Sequence, residues 1–151
     1  MSWTIEFYED DDGRQPARKF LLGLDAPKRM AMIAAIECFL EPRGLGVCDT
    51  EYGRHLGKGL FEFRLRHDEA TVRRKAGQEA DSADGSGEVL LRLFCHAYAD
   101  RVVLLLGGYD KGEDSSTRRQ SREIEQARKR LRSFDLRRAR QAAGAKRRGG
   151  S

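Results

Sequence analysis

His55-Leu56-Gly57-Lys58-Gly59-Leu60-Phe61-Glu62-Phe63-Arg64-Leu65-Arg66 is the stretch whose reading decides the fold. From Phe61 onward apolar residues (Phe61, Phe63, Leu65) alternate with charged ones (Glu62, Arg64, Arg66). That period of two is the signature of a strand with one core face and one polar face. The glycine-rich run ahead of it reads as a turn. Downstream, residues 89–96 form a second strand run, and residues 102–106 are apolar without alternation, as a central strand covered on both faces requires. Residues 98–100 turn the hairpin between them. Upstream, Trp3-Thr4-Ile5-Glu6-Phe7-Tyr8 alternates and is rich in β-formers, so the chain opens on a strand.

Helical spacing fills the gaps. Pro16 suits a first helical turn, where its missing N–H costs nothing, and Ala17, Phe20, Leu21 and Leu24 follow on one face. Asp25 reads as the N-cap of a second helix with Pro27 in its first turn; Met30, Ile33, Ile36 and Leu40 form its apolar stripe. A last helix is expected from about Ser116 to Phe134, with Thr117-Arg118-Arg119-Gln120 as a capping box and Ile124, Ala127, Leu131 and Phe134 as its buried stripe. The expectation is an α+β domain in the order β-α-α-β-β-β-α: an antiparallel sheet with an N-terminal helical hairpin and a C-terminal helix. One domain should span residues 1–136. Residues 68–88 are polar and Gly/Ser/Asp-rich and read as a long insertion loop, and residues 137–151 read as a basic, disordered tail.

The chain has 151 residues, too few for two comfortable domains, and a formal net charge of +5. That charge is unevenly placed. Residues 118–151 hold 13 Lys and Arg against 3 Asp and Glu, whereas residues 1–117 hold 16 against 21. Such a concentrated positive end attracts polyanions: RNA, an anionic membrane or an acidic protein. Three cysteines (Cys38, Cys48 and Cys95) without a close pair speak against a disulfide framework or a CxxC zinc site. With no signal-peptide pattern and no apolar run near ~20 residues, the protein reads as soluble and cytoplasmic, without membrane partners.

Four strings, taken in order, point to a known family. They are Glu6-Phe7-Tyr8-Glu9 followed by Pro16 and Phe20; the stretch from His55 to Arg64; Leu104-Leu105-Leu106-Gly107-Gly108-Tyr109-Asp110-Lys111; and Arg122-Glu123-Ile124-Glu125-Gln126-Ala127-Arg128. The second resembles an L-G-x-G-L-F-E-L-R segment, the third an L-L-H-G-F-x-K strand end and the fourth an R-E-I-x-x-A helix. These are segments of the RelE/HigB toxin superfamily in its phage-derived branch, and they cover the chain to about Phe134.

The resemblance implies a RelE-like fold and a cytoplasmic toxin of a type II toxin–antitoxin system. Such a toxin is an mRNA interferase, a ribosome-dependent endoribonuclease that stops translation and is neutralised by a helix-turn-helix antitoxin. It uses neither metal nor other cofactor: the ribose 2′-OH attacks the adjacent phosphate in line. That chemistry needs cations around the pentacovalent phosphate, a base for the hydroxyl and an acid for the leaving oxygen. A non-catalytic nucleic-acid-binding or regulatory prophage protein of the same fold is the alternative.

The resemblance puts a phosphate-binding cation at Arg64, whose planar fork suits phosphate oxygens; a solvent-facing strand arginine is the rival reading. Arg92 stands alone in Val-Leu-Leu-Arg-Leu-Phe-Cys, and a charge in such a run must pair, snorkel or face a cleft. It matches the arginine of the family's Y-R-x-x-Y strand, with a structural ion pair as the rival. Lys111 and Tyr109 end the apolar strand that borders the family's active site; His55 and Lys58 flank the glycine-rich turn. Arg66, Arg118, Arg119, Arg122, Arg128 and Arg130 are candidate RNA- or ribosome-binding residues. Glu62 shares the strand face of Arg64, where its charge would repel phosphate.

Overall fold

The computed structural model describes residues 2–77 and 88–149. The chain runs through β1 (Thr4–Phe7), α1 (Pro16–Gly23), α2 (Ala26–Ala35), α3 (Glu41–Arg43), β2 (Gly53–Gly57), β3 (Leu60–His67), α4 (Glu69–Lys75), β4 (Glu88–Tyr98), β5 (Val102–Asp110) and α5 (Thr117–Gly149). The class is α+β, with the N-terminal helices and the C-terminal helix where the periodicity puts them.

The five strands form one sheet in the order β1-β5-β4-β3-β2. β2, β3, β4 and β5 pair antiparallel, but β1 lies parallel to β5, Thr4 opposite Val102 and Phe7 opposite Leu105. The sheet is therefore mixed rather than antiparallel. β1 and β5 are not joined by a hairpin, so no turn imposes a direction on them. Alternation reports which face a residue occupies, not which strand lies beside it.

Two segments between α3 and β4 hold regular structure where a turn or loop was expected. β2 adds an edge strand where only a turn was expected: Arg54 and His55 are both exposed there, so no buried alternation marks it. The expected loop 68–88 begins with a helix, α4, capped by Asp68, whose carboxylate accepts the Thr71 N–H at 3.0 Å. Val72 is its single buried residue, too little to leave an apolar period. Residues 78–87 of that loop lie outside the described residues.

Helices cover both faces of the sheet. Phe61, Phe63, Leu65, Leu91, Leu93, Cys95, Val103 and Leu105 share one core with α1 and α2. Leu60, Phe94, Leu104, Leu106 and Tyr109 share the other with Ala127 and Leu131 of α5. Asp25 caps α2 as expected, accepting the Lys28 N–H at 3.0 Å. Its buried face, however, is Ala31, Met32, Ala34 and Ala35, while Met30 and Ile33 remain exposed. Small side chains let the helix lie close to its neighbours, and a π-helical turn at Ile36–Leu40 re-phases the stripe so that Ile36 and Leu40 are still buried.

Helix α5 is capped by Ser116, one residue before the expected box: its Oγ accepts the Arg119 N–H at 3.1 Å. Ile124, Ala127, Leu131 and Phe134 face the sheet as the spacing predicts. The helix then continues to Gly149, through most of the stretch read as a disordered tail. Arg137 ties that continuation to the body through the Glu9 carbonyl (2.8 Å) and the Asp11 carboxylate (3.0 Å), and Arg138 lies over the Tyr98 ring. Alanine, arginine, lysine and glutamine beyond it are good helix formers.

Candidate functional site

Register brings the cations together. Arg64 of β3 lies directly opposite Arg92 of β4, and Arg92 directly opposite Tyr109 of β5. The second pairing depends on a bulge. Phe94 pairs with Gly107 but Cys95 with Leu105, which leaves Leu106 as an extra residue in β5. Leu104 and Leu106 face α5; strict alternation would have sent Tyr109 to the other face, and the bulge returns it to the side of Arg64 and Arg92.

Two arginines directly opposite each other repel. Glu62, two residues before Arg64 on the same face, resolves the conflict: its Oε1 lies 3.2 Å from Arg64 Nε and 3.4 Å from Arg92 Nε. Glu62 is fully enclosed and Arg92 is 2% exposed, whereas Arg64 is 22% exposed and reaches the surface. Arg92 Nη1 also donates to the Leu91 carbonyl at 3.1 Å. Burial lowers the Arg92 pKa, Glu62 raises it, and Arg64 and Arg66 lower it further. The rival readings of Arg92 are thus not exclusive, because it is both ion-paired and part of the cationic cluster.

Lys111 follows β5, its N–H donating to the Leu90 carbonyl at 2.8 Å. Burial lowers the pKa of its amine, Arg92 lowers it more, Glu62 opposes this, and Arg64 and Arg66 add to it. Tyr109 is buried, stacked on Phe94 at 6.1 Å, with the Arg119 guanidinium 5.4 Å above its ring. Burial and Glu62 raise its pKa while Arg92 and Arg119 oppose the rise, so the phenol stays protonated at neutral pH. Beside Tyr109 a groove of about 600 Å³ opens between α1, β5 and α5, lined by Phe20, Gly108, Asp110 and Arg130 among others. It lies where β1, which pairs only with Val102–Leu105, leaves the second half of β5.

The other sequence candidates lie elsewhere. His55 is paired with Phe61 and so sits on the opposite sheet face from Arg64. Lys58 occupies the β2–β3 turn at φ 54°, exposed. Neither joins the cluster, because neighbouring strand residues point to opposite faces and the turn lies beyond the strand. Arg128 and Arg130 are tethers: Arg128 donates to the Leu56 and Gly57 carbonyls (2.6 and 3.2 Å) and Arg130 to Leu106 (3.1 Å). Arg119 pairs with Glu123 at 2.9 Å, while Arg66, Arg118 and Arg122 are exposed.

Sequence reasoning missed Arg54. It is the register partner of Glu62, exposed on the edge strand, and shares the face of the cluster. Only the pairing of β2 with β3 reveals this. Among the described residues no cluster of His, Cys, Asp or Glu is placed to hold a metal ion, and no helix is long and apolar enough to cross a membrane.

No family model matches the chain, and no curated protein matches it either.

Proposed function

We propose that this protein is an RNA-cleaving toxin of the RelE/HigB type, one that inhibits translation by cutting mRNA on the ribosome and is held silent by a helix-turn-helix antitoxin. The observation that carries the reading is the facing pair Arg64 and Arg92, steadied by one buried carboxylate and joined by Lys111 and Arg66 on the same side of the sheet. Four cations against one anion leave a net positive site that suits a phosphate gaining negative charge.

In this reading Arg64, which reaches the surface, holds the non-bridging oxygens, and Arg92, buried behind it, adds positive field from below. The Lys111 amine, with its lowered pKa, takes the 2′-OH proton. The 2′-oxygen bonds to phosphorus as the bond to the 5′-oxygen breaks, and the leaving 5′-oxygen takes a proton from water, which gives a cyclic phosphate and a 5′-OH.

A second reading has its own support. Glu62, the carboxylate held between the two arginines, is enclosed and so turned away from any 2′-OH. A non-catalytic nucleic-acid-binding or regulatory protein of prophage origin would keep the cations and need no base.

Primer extension on mRNA after brief induction separates the two. Cleavage predicts new 5′ ends with the wild-type chain, reduced about 100-fold or more in Arg64→Ala and Lys111→Met. Neither residue is deeply buried, so both variants should fold. An absence of new ends with the wild-type chain rejects the endonuclease reading and leaves the binding one.

A further inference from the structure

The C-terminal helix carries a second cationic surface that the cluster does not use. Projected at ~100° per residue, Arg118, Arg122, Lys129, Arg132, Arg140 and Arg147 fall within about 40° either side of a single line along α5. The buried stripe of Ile124, Ala127, Leu131 and Phe134 is centred on the opposite side. All six cations are exposed, and among the described residues none of them enters a salt bridge or a side-chain hydrogen bond.

The other basic residues in the helix body serve the fold. Arg119, Arg128, Arg130 and Arg137 point sideways or inward to Glu123, to backbone carbonyls and to Asp11. The split is therefore spatial: tethers flank the buried stripe and unpaired cations face water. Glu125 is the one acid in the outer sector. From Arg118 to Arg147 the line is about 44 Å long, comparable with the reach of a module that spans ~16 base pairs of duplex RNA.

We infer that this outer face of α5 grips the phosphate backbone of an RNA duplex, separately from the Arg64–Arg92 cluster. This rests on the reading of the protein as RNA-directed and adds a duplex contact, such as a structured RNA offers, to the single strand that is cut. The chemistry favours a nucleic acid over a lipid surface. A helix lying in a membrane needs an apolar flank beside its cations, and in this sector the one large exposed apolar residue is Leu136. Regular cations without apolar anchors suit phosphates, whose contacts are electrostatic and independent of sequence.

The test uses the full chain and a labelled 20-base-pair RNA duplex, with affinity measured by fluorescence anisotropy across a salt series. The variant carries Arg118→Gln, Arg122→Gln, Arg132→Gln and Arg140→Gln together; all four sites are exposed, and circular dichroism checks the helix. Each lost phosphate contact removes up to ~0.9 from the slope of log K against log salt. The slope should therefore fall by about 3 and the affinity at 0.1 M salt by roughly a thousandfold.

Arg64→Ala, which should abolish cleavage, should bind the duplex within about twofold of wild type and keep the slope. If the chain cuts no RNA yet binds duplex in this way, the catalytic reading fails and the surface stands. The surface is rejected if the four-site variant binds as wild type does, or if Arg64→Ala loses duplex binding as fully. It is also rejected if the stripe-dependent binding goes to phosphatidylserine vesicles or polyglutamate rather than to the duplex.

Discussion

Replacing Glu62 with glutamine is the sharpest probe of the site, because it removes a charge and almost no volume. Glu62 is fully enclosed and lies against Arg64 and Arg92, of which Arg92 is 2% exposed. Without the carboxylate, Arg92 keeps its charge in a buried position opposite a like charge. Removing one partner of a buried pair costs about 3–5 kcal/mol, and the lower figure fits here because Arg64 can swing toward water. For a chain of this length ~3 kcal/mol corresponds to a melting temperature lower by about 6–12 °C.

Adding Arg92→Met to Glu62→Gln removes the stranded cation and should recover about 2 kcal/mol, a coupling far above what distant sites show. Urea unfolding followed by far-UV circular dichroism measures all four members of the cycle. If Glu62→Gln unfolds within ~0.5 kcal/mol of wild type, or if Arg92→Met recovers nothing, the buried charge bridge is not the organising contact of the site.

Other consequences follow from single positions. Ser116→Ala should cost about 1 kcal/mol through loss of the α5 cap, while Thr117→Ala should cost little; thermal melts of the two decide which residue is the cap. Gly108→Ala should destabilise strongly, because a Cβ there would stand 2.6 Å from the Phe20 ring and 2.7 Å from the Arg92 carbonyl. Gly107→Ala should be milder, since its closest neighbour at 2.5 Å is Arg130 Nη1, the end of a long side chain that can give way at the cost of its bond to the Leu106 carbonyl. Because Lys111 has a lowered pKa, the unfolded chain binds more protons at that site between the lowered value and 10.5. The contribution of Lys111 to stability therefore rises with pH across that window, and a cleavage rate that depends on its neutral amine should level off below pH 10.5 and lose that limb in Lys111→Met. Tyr98, pushed up to about 12 by burial and its hydrogen bond to Glu6, should ionise late in an absorbance titration, and the stability it supplies is lost as pH rises from 10 through that value.

Much of this architecture is legible in the order of residues alone. Alternation marks β3, an unbroken apolar run marks β5 as an inner strand, and Pro16, Asp25 and the stripe ending at Phe134 mark three helices, because backbone periodicity and capping are local. Arg92 stands out the same way, as a charge inside an apolar run, whereas Arg64, Tyr109 and Lys111 are singled out by the resemblance. What only the tertiary structure decided is what those residues meet. The parallel partner of β1, the edge strand β2 with Arg54, the bulge at Leu106 that returns Tyr109 to the cationic face, and the conversion of Glu62 from an expected repulsion into a bridge all depend on strand register. Register is set by contacts between segments tens of residues apart, and local periodicity does not encode it. The same holds for α5: its composition announced a positive field, but only packing separated the arginines that tie the fold together from those that face water.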